Sequence, residues 1–434
     1  MYKPISWVFV LIFTNFRTNL FNLLALIIGI IFCALICWLL CMHSFVRDSG
    51  LSKNKILILL GLKIAAALVF AFIVKDSNIA GDYTFNNKLG LQEYQILKNN
   101  TPLFFTDFGQ NNNEALGELF SAEKSFWDDL AGNILVKFLA ILNIFTQGNF
   151  YLNSILFALL GFLASVALYR VATMHKYAEW AALICSFFII SCVGFTAAIH
   201  KDSIVFFAMA LSIYHVCIYL NERKIHSLVF LMLSLLLLFG LRNYVVVCFL
   251  PAAFAYWLCK KFNPIKAFAL VYASLIFLVV LIQFISPQKN VATAIATRQS
   301  QYLKLEPGGS YVGVTPLKPT LYSVMANMPE AIAHVTMSPI LLLSSKPVHI
   351  FWSVETIIFW LITIAGCIFF LLRKQKPESR LALFYLFISF SAFIIIGLIV
   401  PNASAIIRYR VIFLPLFLLP FMEQIILYIK NKNI

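Results

Sequence analysis

Charge is what this sequence has least of. Only 12% of its 434 residues are Asp, Glu, Lys or Arg, against roughly a quarter in a water-soluble chain. Hydrophobic residues make up 62%, and the mean hydropathy is +0.89. No aqueous core hides that much apolar surface, so lipid is the solvent for much of the chain. The short motifs of soluble chemistry are missing as well. There is no G-x-x-x-x-G-K-S/T loop, no H-E-x-x-H, no G-x-S-x-G and no paired CxxC. Nucleotide chemistry on a phosphate loop, zinc hydrolysis and elbow-serine hydrolysis therefore have no support.

Cysteine is absent from residues 75–132 and 287–349, which excludes a disulfide framework there. The nine cysteines sit almost entirely in apolar runs. Cys33, Cys37 and Cys41 share one helix face without a nearby His or carboxylate, the pattern of small packing residues rather than of a metal site. No internal repeat or low-complexity tract is visible. A cleavable signal peptide is not expected: the apolar stretch Ile5 to Thr14 runs into Asn15, Arg17 and Asn19 with no small-residue cleavage site.

What is present is a series of long apolar runs. Spans are expected at 20–42, 56–74, 151–170, 178–198, 203–220, 226–241, 244–259, 267–286, 350–372, 381–400 and 411–429. The chain thus reads as an all-α polytopic bundle of about eleven spans in a single membrane domain. The net charge of +15 would suggest nucleic acid in a soluble protein. Here the basic residues cluster between spans instead: Arg47, Lys53 and Lys55; Arg170 and Lys176; Arg223 and Lys224; Lys260, Lys261 and Lys266; Arg373, Lys374, Lys376 and Arg380; Lys430 and Lys432. That asymmetry places these loops and the C-terminus in the cytoplasm and removes nucleic acid as a partner. Residues 75–132, rich in Asp and Glu, and residues 287–349, rich in Pro, Gly and Ser, become two large extracytoplasmic loops. A short helix is expected at 89–98 in the first of them, interfacial or re-entrant pieces at 133–145 and 331–344, and an interfacial or half-inserted helix at 5–16 before the first span.

Charges at a membrane boundary are costly, so they mark candidate chemistry. In Gly81-Asp82-Tyr83, Asp82 is placed to act as a general base or to cap a turn. In His200-Lys201-Asp202, His200 and Lys201 suit phosphate, and Asp202 suits orienting them or capping the next helix; a short external turn has the same look. Arg242, in Leu241-Arg242-Asn243-Tyr244, breaks two short apolar stretches and offers a planar fork beside a helix N-terminus, both suited to (di)phosphate. Arg408-Tyr409-Arg410 puts two arginines on the outer side, where an anionic lipid phosphate is the natural partner. Arg298 and Gly308-Gly309-Ser310 in the second loop could approach an anion or form a turn.

Together Gly81-Asp82-Tyr83, Lys201-Asp202-Ser203, Arg242-Asn243-Tyr244, Gly308-Gly309-Ser310 and Arg408 to Pro415 resemble landmarks of bacterial polytopic proteins from surface-polysaccharide clusters. Those proteins are similar to O-antigen polymerases and GT-C glycosyltransferases. The resemblance implies transfer from polyprenyl-linked donors at the outer face of the inner membrane. Asp82 falls where GT-C enzymes place an acidic residue, though singly rather than paired. Arg298 and Gly309 match the Arg-x10-Gly spacing of the polymerases once. The expectation is a glycan-assembly enzyme, with polymerase favoured over single-sugar transferase. Asp82 and His200 are its candidate catalytic residues. Tyr83, Lys201, Asp202, Arg242, Arg298, Arg408 and Arg410 are its candidate substrate-binding residues. Its partners would be a polyprenyl-linked sugar or oligosaccharide, membrane lipid and other polysaccharide-assembly proteins. No metal-ligand set is visible, and no cofactor is implied beyond an optional divalent cation. A lipid-linked oligosaccharide flippase and a non-enzymatic scaffold are the competing readings.

Overall fold

In the computed structural model, residues 6–76, 81–107, 126–286, 290–304, 309–372 and 379–432 are described. Among them the chain is helical, with no strand and one isolated bridge, Tyr311 to Asn402. Seven helices are long and apolar enough to cross a membrane: Lys53–Lys75, Phe150–Met174, Lys201–Glu222, Ile225–Leu258, Pro264–Ile285, Pro347–Leu372 and Arg380–Ile399. An eighth is reached if Ala403–Arg410 and Leu414–Lys430, bent by 65°, count as one span. The chain is thus a helical membrane protein, and not every one of the eleven expected spans is matched by a helix of that length.

Three features bear on the count. The apolar runs on either side of Arg242 are counted as one stretch, Ile225–Leu258, but it is broken at that residue (φ −152°, ψ 85°). The chain doubles back there, with Arg242 at Asp202 and Lys260 at the Leu220 carbonyl, the two ends of Lys201–Glu222. The run at 178–198 splits into Glu179–Phe187 and Ile190–Phe195. There the Glu355 carboxylate accepts the Ser191 N–H at 2.7 Å, supplying the acceptor that the interrupted helix lacks. Finally, the first helix runs Ser6–Met42 without the break expected near Asn15, and its described apolar stretch is only Leu26–Met42. The expected loops are largely helical too. Gly81–Asn99 and Thr101–Thr106 fall in the first, Val291–Leu303, Leu321–Ala326 and Met328–Met337 in the second, and the expected 133–145 piece lies within Phe126–Thr146. Glu114, Glu118, Glu123 and Gly308 lie outside the described residues.

The chain divides into two compact units. One comprises Met1–Phe108, Asn133–Leu160 and Ala197–His200. Here Ala67, Ala158 and Ala197 pack as a fully buried cluster whose small side chains let helices approach closely. A polar network ties this unit together. Asn153 donates to Asn87 (2.8 Å) and Asn143 (2.9 Å), Thr146 donates to Asn153 (2.7 Å), and Asn87 donates to the Gly148 carbonyl (2.9 Å). In lipid such groups must be satisfied internally, which sets the register of the helices that carry them.

The other unit comprises Gly109–Gly132, Gly161–Thr196 and Lys201–Ile434. The stretch Ile225–Leu258, doubled back at Arg242, packs against Lys201–Glu222, Pro264–Ile285 and Ser379–Ile399. Gly397 lies directly on the Ala331 backbone, a spacing that leaves no room for a Cβ. The Asn402 side chain caps the helix Ala403–Arg410 by accepting the Ala405 N–H at 3.2 Å, and it also accepts the Ser310 hydroxyl at 2.8 Å. With Val312 N–H on the Pro401 carbonyl (2.7 Å), this pins the 310–312 segment of the second loop to the start of the arginine-bearing helix.

Candidate functional site

The second unit holds a partly open cavity of about 270 Å³ at the level of the break at Arg242. Its walls are mainly apolar, including Phe239, Val247, Ile295, Ile395 and Ile399, and three cations reach into it: Lys201, Arg242 and Arg298. No carboxylate lines it among the described residues.

Each cation is placed by its helix. Lys201 opens Lys201–Glu222. Arg242 sits at the one non-helical position of its helix, so the segment from Asn243 onward begins anew, and Asn243 and Tyr244 join the lining. A helix start carries unsatisfied N–H groups and a partial positive charge. Arg298 lies one turn before Tyr302 on Val291–Leu303, with its guanidinium 5.6 Å from that ring.

Behind the wall the charges are organised by Asp202, which is only 1% exposed. One carboxylate oxygen accepts a hydrogen bond from Arg242 Nη2, and the other lies 3.3 Å from Arg408 Nε. The Arg242 guanidinium stacks at 3.9 Å over Tyr409, and Arg408 is 5.5 Å from the same ring. Tyr409 is hydrogen-bonded in turn to Tyr302. Burial first, and then the neighbouring Tyr409, push the Tyr302 phenol well above its ordinary range, so it remains protonated. Two arginines share one buried carboxylate, and Lys201 and Arg298 add to them at the cavity wall, which leaves an excess of positive charge beside an apolar chamber. That combination suits a ligand with an anionic head and an apolar chain.

The structure therefore gathers Lys201, Asp202, Arg242, Arg298 and Arg408 from the sequence candidates. Arg410 is used differently: it donates to the Val335 and Ser338 carbonyls, both at 2.8 Å, and to the Thr356 hydroxyl at 2.7 Å. It is 2% exposed and ties down the C-terminal end of Met328–Met337. Ser310 is likewise engaged with Asn402 and Ser404. Asp82, Tyr83 and His200 belong to the first unit. Tyr83 meets His200 edge-on at 5.6 Å and Phe70 at 5.2 Å, while Asp82 is exposed in the first turn of Gly81–Asn99.

Sequence reasoning overlooked Tyr302, Tyr409 and Glu355. The i, i+4 relation of Arg298 to Tyr302 and the position of Tyr409 between two arginines were available signals. So was an acidic residue inside the 350–372 run. Among the described residues, no three His, Cys, Asp or Glu side chains gather in a way that could hold a metal ion. Compared with family models, curated proteins and solved structures, the chain matches none.

Proposed function

We propose that this protein is a glycan-assembly enzyme of the bacterial inner membrane. It transfers a sugar or an oligosaccharide repeat from a polyprenyl (di)phosphate carrier to an acceptor on the outer face, with polymerisation favoured over single-sugar transfer. The observation that carries the reading is the cavity that sets Lys201, Arg242 and Arg298 against apolar walls built from long apolar helices and the second-loop helix Val291–Leu303. In this reading the cations hold the (di)phosphate and stabilise it as a leaving group, while the apolar walls receive the first part of the prenyl chain. The proton of the acceptor hydroxyl goes to a general base, for which Asp82 and His200 are the candidates offered by the sequence. The basic loops and the C-terminus face the cytoplasm.

Deleting the gene in its native host and complementing with wild type or Arg242→Ala tests this. Surface glycans are read on gels and lipid-linked intermediates by mass spectrometry. Complete repeat units on lipid without a polymer ladder indicate a polymerase, and units lacking one sugar indicate a transferase. Unchanged glycans in the deletion strain, or full rescue by Arg242→Ala, would reject the reading.

A further inference from the structure

Asp202 holds two arginines from two separate elements, yet it does not line the cavity. A carboxylate behind the wall cannot take a proton from a ligand in front of it, so its role must lie in what it does to the arginines. Arg242 comes from the break at which Ile225–Leu258 doubles back, and Arg408 from the short helix after Asn402. Both guanidiniums contact Tyr409. Without a shared counter-ion two cations on one ring repel each other, and one would swing away. The Arg242 fork is also only partly used. Nη2 is taken by Asp202, Nη1 reaches the Tyr244 hydroxyl only at 3.5 Å, and Nε is buried with no hydrogen-bond partner among the described residues. A buried, unspent N–H on a residue that lines a cavity is a donor waiting for an acceptor.

The geometry points to Asp202 as a positioning residue: an internal counter-ion that fixes Arg242 and Arg408 on Tyr409, so that Arg242 presents its unspent donors to a phosphate in the cavity. This rests on the lipid-phosphate reading above and adds which residue sets the donor geometry. It also makes a signed claim. Removing a negative charge would, by electrostatics alone, tighten anion binding, whereas losing the held geometry weakens it. The positioning role requires the second effect to win.

The test uses the full chain purified in neutral detergent and titrated with geranylgeranyl diphosphate, with inorganic pyrophosphate in parallel, followed by intrinsic fluorescence. Asp202→Asn is expected to bind the isoprenoid diphosphate about ten-fold more weakly per folded molecule, and Asp202→Glu to stay within about three-fold of wild type. A purely structural role would lower the unfolding temperature but leave the affinity of the folded fraction unchanged. Equal or tighter binding by Asp202→Asn overturns the proposal. If that variant does not fold, the exchange of Asp202→Arg with Arg242→Asp restores the pair but puts the acid on the wall. It is expected to fold and to lose binding, and wild-type affinity there would overturn the proposal. Wild type that binds neither probe overturns both this role and the lipid-phosphate reading. Equal affinity of wild type for the two probes overturns only the lipid part of that reading, while a weaker Asp202→Asn still supports the positioning role.

Discussion

Replacing Arg242 by Met removes the guanidinium while keeping a side chain of similar reach. Asp202 then loses its closer arginine and keeps Arg408, at 3.3 Å and on a side chain that is 18% exposed. Breaking a buried ion pair by removing one partner costs about 3–5 kcal/mol, because a charge is left behind. Here the second arginine retains part of the compensation, which puts the loss near the lower end, about 3 kcal/mol. The stacked contact over Tyr409 at 3.9 Å is part of the same loss and is not an independent addition. Arg408→Met leaves the closer Arg242–Asp202 pair intact and removes a more exposed, longer contact, so about 1 kcal/mol is expected. Unfolding in mixed micelles with increasing SDS, followed by tryptophan fluorescence, measures both. A double-mutant cycle should give about 2–3 kcal/mol of coupling between Arg242 and Asp202, and under about 1 kcal/mol between Arg408 and Asp202. Equal losses in the two arginine variants, or a coupling below about 0.5 kcal/mol at Arg242, would refute the reasoning that Arg242 is the principal partner.

Three further outcomes are expected. Gly397→Ala places a Cβ on the Ala331 backbone, which cannot yield as a side chain would, and should cost about 1–3 kcal/mol; an unchanged unfolding temperature in detergent would show that the contact is not tight. Arg410→Met removes the donor to the Val335 and Ser338 carbonyls, the latter keeping the Thr356 hydroxyl, and should cost about 2 kcal/mol, while the folded fraction binds isoprenoid diphosphate as wild type does; a loss of affinity would bring Arg410 into the site. His334 is held below its ordinary pKa by burial, partly offset by Glu330. Its neutral form therefore favours the folded state, and that contribution is full above about pH 6.5 and fades as pH falls through the lowered value. His334→Gln should flatten this acid-side slope of the unfolding temperature, and an unaltered slope would assign it to other groups.

The membrane class and the Arg242 break were legible because lipid makes apolar length and stray charge visible in the chain itself. So was the turn at Arg242, where the chain doubles back: Arg242 meets Asp202 at one end of Lys201–Glu222 and Lys260 meets the Leu220 carbonyl at the other. The span count was not, for a local reason. The run 178–198 looks continuous, but Glu355, far away in the sequence, takes the Ser191 N–H and stabilises a break. At the candidate site, the charged members could be picked out one by one. Their grouping could not, since only packing decides that Arg408 shares Asp202 with Arg242 while Arg410, two residues on, turns to the carbonyls of another helix. The tyrosines escaped notice because a ring in a membrane protein is common, and only the guanidinium stacked on Tyr409 sets it apart.

The most direct measurement is the identity of the lipid that the cavity holds in the native membrane. Wild type and an Arg242→Ala, Arg298→Ala double variant, both extracted from the native host in mild detergent, are compared by mass spectrometry of their co-purifying lipids. The account predicts a prenyl (di)phosphate-linked glycan enriched on the wild type and lost from the variant, against an equal background of bulk phospholipid. The same phospholipids on both proteins, with no prenyl-linked species on either, would contradict it.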